Sequence, residues 1–250
     1  MRSGAAADLH GALGLLTVLG GAAPPRPGSV LWFGPVGAAL GAAVGTAWWG
    51  SAHLGSTSAL LAAGLAVAAD LVLTGLLHVD GLADAADGLL PPMQRERRLA
   101  VMRQPDTGAF GVAVVVGVLL LRWSALASLT PSVPLLASLW ALSRGGMAAT
   151  MAFVPYARSQ GLASGFTGGS ARPARAGAAG AVVLALILVL GPDVGMGRLA
   201  ALGALGGAAL AMASTVALAR RRVGGYTGDV LGAAGLIGET AGLVLAAMAR

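Results

Sequence analysis

Seven long apolar runs limit most tightly what this chain can fold into, at about residues 30 to 50, 57 to 77, 110 to 128, 133 to 153, 177 to 191, 199 to 218 and 230 to 249. Most approach the ~20 residues that carry an α-helix across a hydrocarbon core of about 30 Å. Of the 250 residues, 56% are apolar and 10% charged, whereas a soluble domain carries roughly 25% charged residues. The runs do not alternate polar and apolar as strands of a membrane barrel would, so they read as helices. The expected fold class is all-α: a polytopic membrane helix bundle of about seven transmembrane helices, one integral domain over residues 1–250, with the lipid bilayer as partner. A short apolar stretch near 9 to 21 reads as an N-terminal half-helix, interfacial or buried against the bundle. Its Asp8 and His10, and the "PPRP" that follows, are unlike a cleaved signal peptide.

The chain has no cysteine, which excludes disulfides, thiolate zinc sites and cysteine nucleophiles. All sixteen basic residues are arginine and the net charge is +6. In a soluble domain that balance points to nucleic acid; in a membrane protein, loop arginines mark topology, and no nucleic-acid partner is expected. With a cytoplasmic N-terminus, Arg2, Arg26, Arg95, Arg97, Arg98, Arg103, Arg158, Arg172, Arg175, Arg220, Arg221 and Arg222 fall inside, and only Arg198 and Arg250 outside. Arg122 and Arg144 lie within spans. The same topology brings the loops 78 to 109, 154 to 176 and 219 to 229 to one face, where a single site can draw on all of them. Glycines four apart, as at Gly37, Gly41 and Gly45 or Gly238 and Gly242, are helix-packing signals. No pattern specifies an oligomeric state.

The stretch "LLHVDGLADAADGLL", residues 76 to 90, places Asp80, Asp84 and Asp87 together in a chain with ten acidic residues. On a helix, Asp84 lies about 40° and Asp87 about 20° from Asp80 around the axis, so the carboxylates share a face. Like charges that close require a cation among them. Hard oxygen ligands suit Mg²⁺, which binds one or a few carboxylates and completes its shell with water and substrate phosphates. The competing reading is a solvated turn whose acids balance Arg95, Arg97 and Arg98. Ionisable groups beside a span favour the site, and Gly81 and Gly88 allow close backbone approach.

In "RRRVGGYTGDVLGAAGLIGETAGL", residues 220 to 243, Gly224, Gly225 and Gly228 make a turn that exposes backbone N–H groups, and Thr227 is placed to cap the next helix. Backbone donors at a helix start suit a phosphate. Asp229 either joins the metal shell or caps the helix. Glu239 lies about 15 Å further along, inside a span; it pairs with an embedded arginine, Arg144 above all, or stays protonated. Arg144 in "LSRGG" and Arg158 in "VPYAR" are placed for anions, since the guanidinium fork matches phosphate oxygens. Arg103, in "MRQPDTGAFG", contacts phosphate or anchors topology. His78 orients an aspartate, acts as base, or sits idle at the interface.

Taken together, "TGLLHVDGLADAADG", "MRQPDTGAFG", "SRGG", "PYARSQGL" and "GGYTGDVLGA" resemble, in order and spacing, the cobalamin (5′-phosphate) synthase family, the adenosylcobinamide-GDP ribazoletransferases. The resemblance runs from roughly residue 30 to 245, and the "HxDGLADxxDG" block is its most specific part. It implies a multi-pass enzyme of the bacterial cytoplasmic (inner) membrane, its active site facing the cytoplasm. Such an enzyme uses Mg²⁺ to join adenosylcobinamide-GDP to α-ribazole or α-ribazole 5′-phosphate and releases GMP. On this reading Asp80, Asp84, Asp87 and Asp229 hold the metal, and Asp84, Asp87 and His78 are catalytic. Gly81, Gly88, Arg103, Arg144, Arg158, Gly225, Thr227, Gly228 and Glu239 contact substrate. The family usually has an acid at Gln104, a basic residue at Asp106 and a first glutamate near Leu236. Two rivals are a CDP-alcohol phosphotransferase-like enzyme, whose acidic motif pairs its first "DG" with "AR", and a cation- or proton-coupled transporter using Asp70, Glu239 and the aspartate cluster.

Overall fold

A computed structural model describes residues 2–21, 24, 26–54, 57–158, 171–191 and 194–249. The "SQGL" of "PYARSQGL" and Arg250 lie outside the described residues. The helices are α1 (Arg2–Leu16), α2 (Phe33–His53), α3 (Ala59–Thr74), α4 (Leu77–Leu89), α5 (Arg95–Val101), α6 (Ala109–Ser128), α7 (Val133–Phe153), α8 (Arg172–Leu190), α9 (Arg198–Val223) and α10 (Gly228–Met248). Short 3-10 turns occupy Val18–Gly20 and Pro27–Trp32. Among the described residues the only extended pairing is a bridge between Tyr156 and Tyr226. The N-terminal half-helix thus begins earlier than the apolar stretch does, and ends where the Thr17 hydroxyl caps the following turn.

The long helices α2, α3 and α6 to α10 form the bundle, as the apolar runs predict. Five stretches, at Pro27–His53, Ala109–Ser128, Arg172–Leu190, Arg198–Val223 and Gly228–Met248, are long and apolar enough to cross a membrane alone. Helix α7 has the length, 21 residues, but Ser138, Ser143 and Arg144 lower its hydropathy. It tolerates them because α2, α8, α9 and α10 pack around it, leaving little of it for lipid. The α2–α7 seam is the glycine ladder: a side chain at Gly37 or Gly41 would strike the Trp140 or Leu136 carbonyl. Gly238 and Gly242 do the same for α10, each with a would-be Cβ 3.1 Å from a carbonyl of α9.

Helix α3 is only 16 residues long, and the apolar run 57 to 77 is not one straight span. Gly75 (φ 58°) and Leu76 (φ 61°) adopt the left-handed conformation in succession, and α4 leaves α3 at 89°. Glycine takes that conformation freely, whereas leucine is strained in it and must be held by its surroundings. Helix α4 therefore lies along one end of the bundle, outside the crossing helices, packed on α10, α6 and α5. The basic run at 95 to 98 secures it. Buried Arg98 donates from Nη1 to the Gly88 and Leu89 carbonyls at 2.8 Å, satisfying acceptors that the end of α4 leaves without a helical partner. Arg95 does the same for α9 through the Val223 carbonyl, 2.8 Å away.

Candidate active site

The end of the bundle that carries α4 also receives the turn into α10 and the segment after α7. The backbones of the last two pair: Ala157 N–H donates to the Tyr226 carbonyl at 2.8 Å, and Tyr226 N–H to that of Pro155 at 3.0 Å. Their tyrosine rings meet edge to face, centroids 5.2 Å apart. Gly225 is required for this approach, since any Cβ there would strike the Pro155 carbonyl. The pairing brings Arg158 to the start of α10, where its Nη2 donates to Asp229 Oδ2 at 2.8 Å. Thr227 caps α10 by accepting from Val230 N–H, and its hydroxyl donates to Asp229 Oδ2 at 3.1 Å. Both contacts fall on one oxygen of Asp229.

Helix α4 crosses α10 directly above this turn. A Cβ at Gly81 would stand 3.0 Å from the Asp229 carbonyl, and one at Gly232 3.3 Å from the His78 backbone. A cavity of about 220 Å³ opens at the crossing, lined by His78, Asp80 and Gly81 on one side and Gly228, Asp229 and Gly232 on the other. Leu15 of α1 and Met147 of α7 close it. His78 is buried and its Nδ1 has no partner, and the Nε of Arg158 is likewise buried and unpartnered. Asp80 and Asp84 accept no hydrogen bond among the described residues. Burial first, then the charges of Asp229 and Asp80, push the Asp84 carboxyl up to about 7, against the opposing pull of Arg158. Carboxylates this close call for a cation.

The sequence-predicted residues do not all gather here. The structure brings together His78, Asp80, Gly81, Asp84, Arg158, Thr227, Gly228 and Asp229. Asp87 turns toward α6 instead. Its oxygens accept the N–H of Gly108 at 2.6 Å and of Gly111 at 2.9 Å, so it caps α6 from a neighbouring helix. Side chains at Gly108 and Gly111 would collide with that carboxylate, which accounts for both glycines of "TGAFG". Gly88 packs under Met102 and the Arg98 carbonyl, and Arg103 is exposed. Among the described residues no three His, Asp or Glu side chains enclose a metal ion by themselves.

Arg144 and Glu239 lie deeper, in a buried ionic network. Glu239 pairs with Arg144 and, at 2.8 Å, with Arg122, and accepts the Ser143 hydroxyl at 2.6 Å. Arg122 continues to Asp70 at 3.0 Å and stacks on Trp140, whose indole N–H donates to Asp70 at 3.0 Å. Two acids and two arginines joined this way are mutually compensated. The embedded partner expected for Glu239 is present; Arg122, Trp140 and Ser143 are the additions. An arginine within an apolar span was the signal for Arg122, since such a charge needs an acid at its own depth.

Comparison with known proteins gives the family. The family model described as cobalamin-5-phosphate synthase matches residues 8–247. An adenosylcobinamide-GDP ribazoletransferase of Bradyrhizobium diazoefficiens is 39% identical over 252 residues, covering 96% of this chain and 93% of its own. Proteins of the same name from Chlorobium phaeovibrioides and Chlorobaculum parvum are 37% and 34% identical. The first match covers 84% of each chain; the second covers 95% of this chain and 93% of its own. No solved structure matches. The chain belongs to the cobalamin-5-phosphate synthase family.

Proposed function

We propose that this protein is a transferase that joins adenosylcobinamide-GDP to α-ribazole, or to its 5′-phosphate, and releases GMP. We place the reaction at the α4–α10 crossing, on the cytoplasmic face of a bacterial inner membrane. The observation that carries the reading is the set of like-charged carboxylates, Asp80, Asp84 and Asp229, beside the start of α10 and Arg158. Asp80 and Asp84 have free carboxylates and Asp229 keeps one oxygen out of its ion pair. That donor set fits Mg²⁺, an ion bound through one or two carboxylates and completed by substrate phosphates, better than it fits an all-protein cage. Bound there, the metal would neutralise the diphosphate and stabilise departing GMP.

The remaining roles fall to this chain's own groups. The first N–H groups of α10, beginning at Gly228, face a phosphate with the positive end of the helix dipole. Arg158, its Nε free, adds a second donor once phosphate displaces or shares Asp229. A ribose hydroxyl of the acceptor attacks the cobinamide-side phosphorus; its oxygen bonds to phosphorus as the bond to the GMP phosphate breaks. In our account Asp84 takes the hydroxyl proton, as a carboxylate placed among the groups that would hold the metal. His78 shapes the cavity floor. Asp87 acts one step removed, by fixing α6 and the loop before it. Purified protein given adenosylcobinamide-GDP, α-ribazole and Mg²⁺ should release GMP and form the joined product; no turnover with both substrates present would refute the proposal.

A further inference from the structure

Asp80 lines two cavities. One is the α4–α10 cavity described above. The other, about 360 Å³, lies on the opposite side of α4, between Val79 and Ala83 of α4 and Val112, Val115 and Val116 of α6. Its polar lining consists of Asp80 and Thr107. Thr107 precedes Gly108, whose N–H is bound by Asp87, so this lip of the cavity is tied to α4. The two cavities differ in what they can hold. The α4–α10 cavity has the helix start and a nearby arginine that suit phosphates. The valine-lined one has no cationic lining residue and one carboxylate, which repels a diphosphate. Its size and its few polar groups on an apolar wall match a small-molecule site.

We infer that the α4–α6 cavity seats the acceptor nucleoside, its uncharged bicyclic base against the valines and its ribose toward Asp80 and Thr107. This rests on the reaction proposed above and adds where each substrate sits. Transfer requires the ribose hydroxyl and the donor phosphorus within about 3–3.5 Å of each other. Asp80, common to both cavities, marks where substrates entering from opposite sides of α4 meet. The other occupant of a valine-lined gap at a membrane surface is a lipid acyl chain, and the experiment separates the two.

Val116 is half exposed, so Val116→Trp fills the cavity without burying new bulk in the core. With saturating adenosylcobinamide-GDP, the KM for α-ribazole should rise about tenfold or more, the scale on which a hydrophobic pocket responds to lost fit. The KM for adenosylcobinamide-GDP should stay within about twofold. Val112→Leu adds a single methylene and covers failure of the tryptophan variant to fold; it should raise the acceptor KM by a smaller factor with the donor KM unmoved. An unchanged acceptor KM means the cavity holds lipid and overturns the inference. So does a donor KM that rises in step. Failure of the underlying reaction is distinguishable, because the unsubstituted protein would then show no turnover at all.

Discussion

Replacing Asp87 by Asn separates a helix cap from a metal ligand. Its two oxygens accept N–H groups at 2.6 Å and 2.9 Å from the first turn of α6. A hydrogen bond to a charged acceptor contributes about 1.5–3 kcal/mol, and a carboxylate at a partly buried helix start adds up to ~2 kcal/mol. Asparagine keeps one acceptor and turns an NH₂ toward the other N–H. The loss is therefore one such bond and the charge, about 2–5 kcal/mol. At about 2–4 °C per kcal/mol for a chain of this size, the melting temperature in detergent should fall by roughly 4–20 °C. The Mg²⁺ concentration for half-maximal turnover of the surviving protein should change less than about threefold, because no metal contact is removed. Gly108→Ala should produce a similar fall in melting temperature, and the two changes together should cost less than their sum because both break one contact. An unchanged melting temperature with a tenfold or larger rise in Mg²⁺ requirement would refute the reasoning.

Two further outcomes follow from buried and clustered charge. Glu239→Gln leaves Arg122 and Arg144 partly uncompensated and should destabilise the bundle by about 3–5 kcal/mol; adding Arg144→Met, which leaves the Arg122–Asp70 pair in place, should recover part of that in thermal unfolding, and no recovery would mean that Arg144 and Glu239 are not coupled. Asp84 sets a pH dependence: burial and the charges of Asp229 and Asp80 push its carboxyl from the ordinary 3.8 up to about 7 in the folded protein. The stability it contributes is therefore full below the unfolded value and lost as pH rises through the folded one. Buried His78, its pKa lowered by burial, acts in the opposite sense over the same range, so the prediction is made on a difference. Metal-free wild type minus Asp84→Asn should be more favourable to the wild type at about pH 5.5 than at about pH 7.5, with a slope below about 1.4 kcal/mol per unit because water screens a part-buried group. A wild-type-minus-variant difference that does not change with pH would refute the assignment to Asp84.

The spans were legible because hydropathy alone drives a chain into lipid, and the glycine ladder on α2 because close helix packing admits no other residue. The break between α3 and α4 was not. Leu76 and Leu77 continue the apolar run, and only Gly75, a residue that favours helix ends, hinted at the turn. Helix ends shifted where arginines extend beyond the apolar run, as at Arg172 in α8 and Arg220 in α9. The site was read from the shared face of Asp80, Asp84 and Asp87, yet a helical wheel does not say which neighbour packs on that face. Asp87 is bound by the N–H groups at the start of α6, whereas Asp80 faces the cavities on both sides of α4. The Arg144–Glu239 pairing was inferable because a lone charge at membrane depth needs a partner; Arg122 bridging Asp70 to Glu239 required the third dimension. The meeting of "PYAR" with "GGYTG" left only Gly225 as its trace.

If the carboxylates at the α4–α10 crossing bind Mg²⁺ for transfer, GMP release by purified wild-type and Asp84→Asn protein will differ sharply. The wild type should release GMP only with Mg²⁺ and both substrates present; for Asp84→Asn the same chemistry sets the expectation. It predicts a loss of about 100-fold or more in a variant that melts no lower. Release by Asp84→Asn at near wild-type rate, with the same Mg²⁺ requirement, would contradict it.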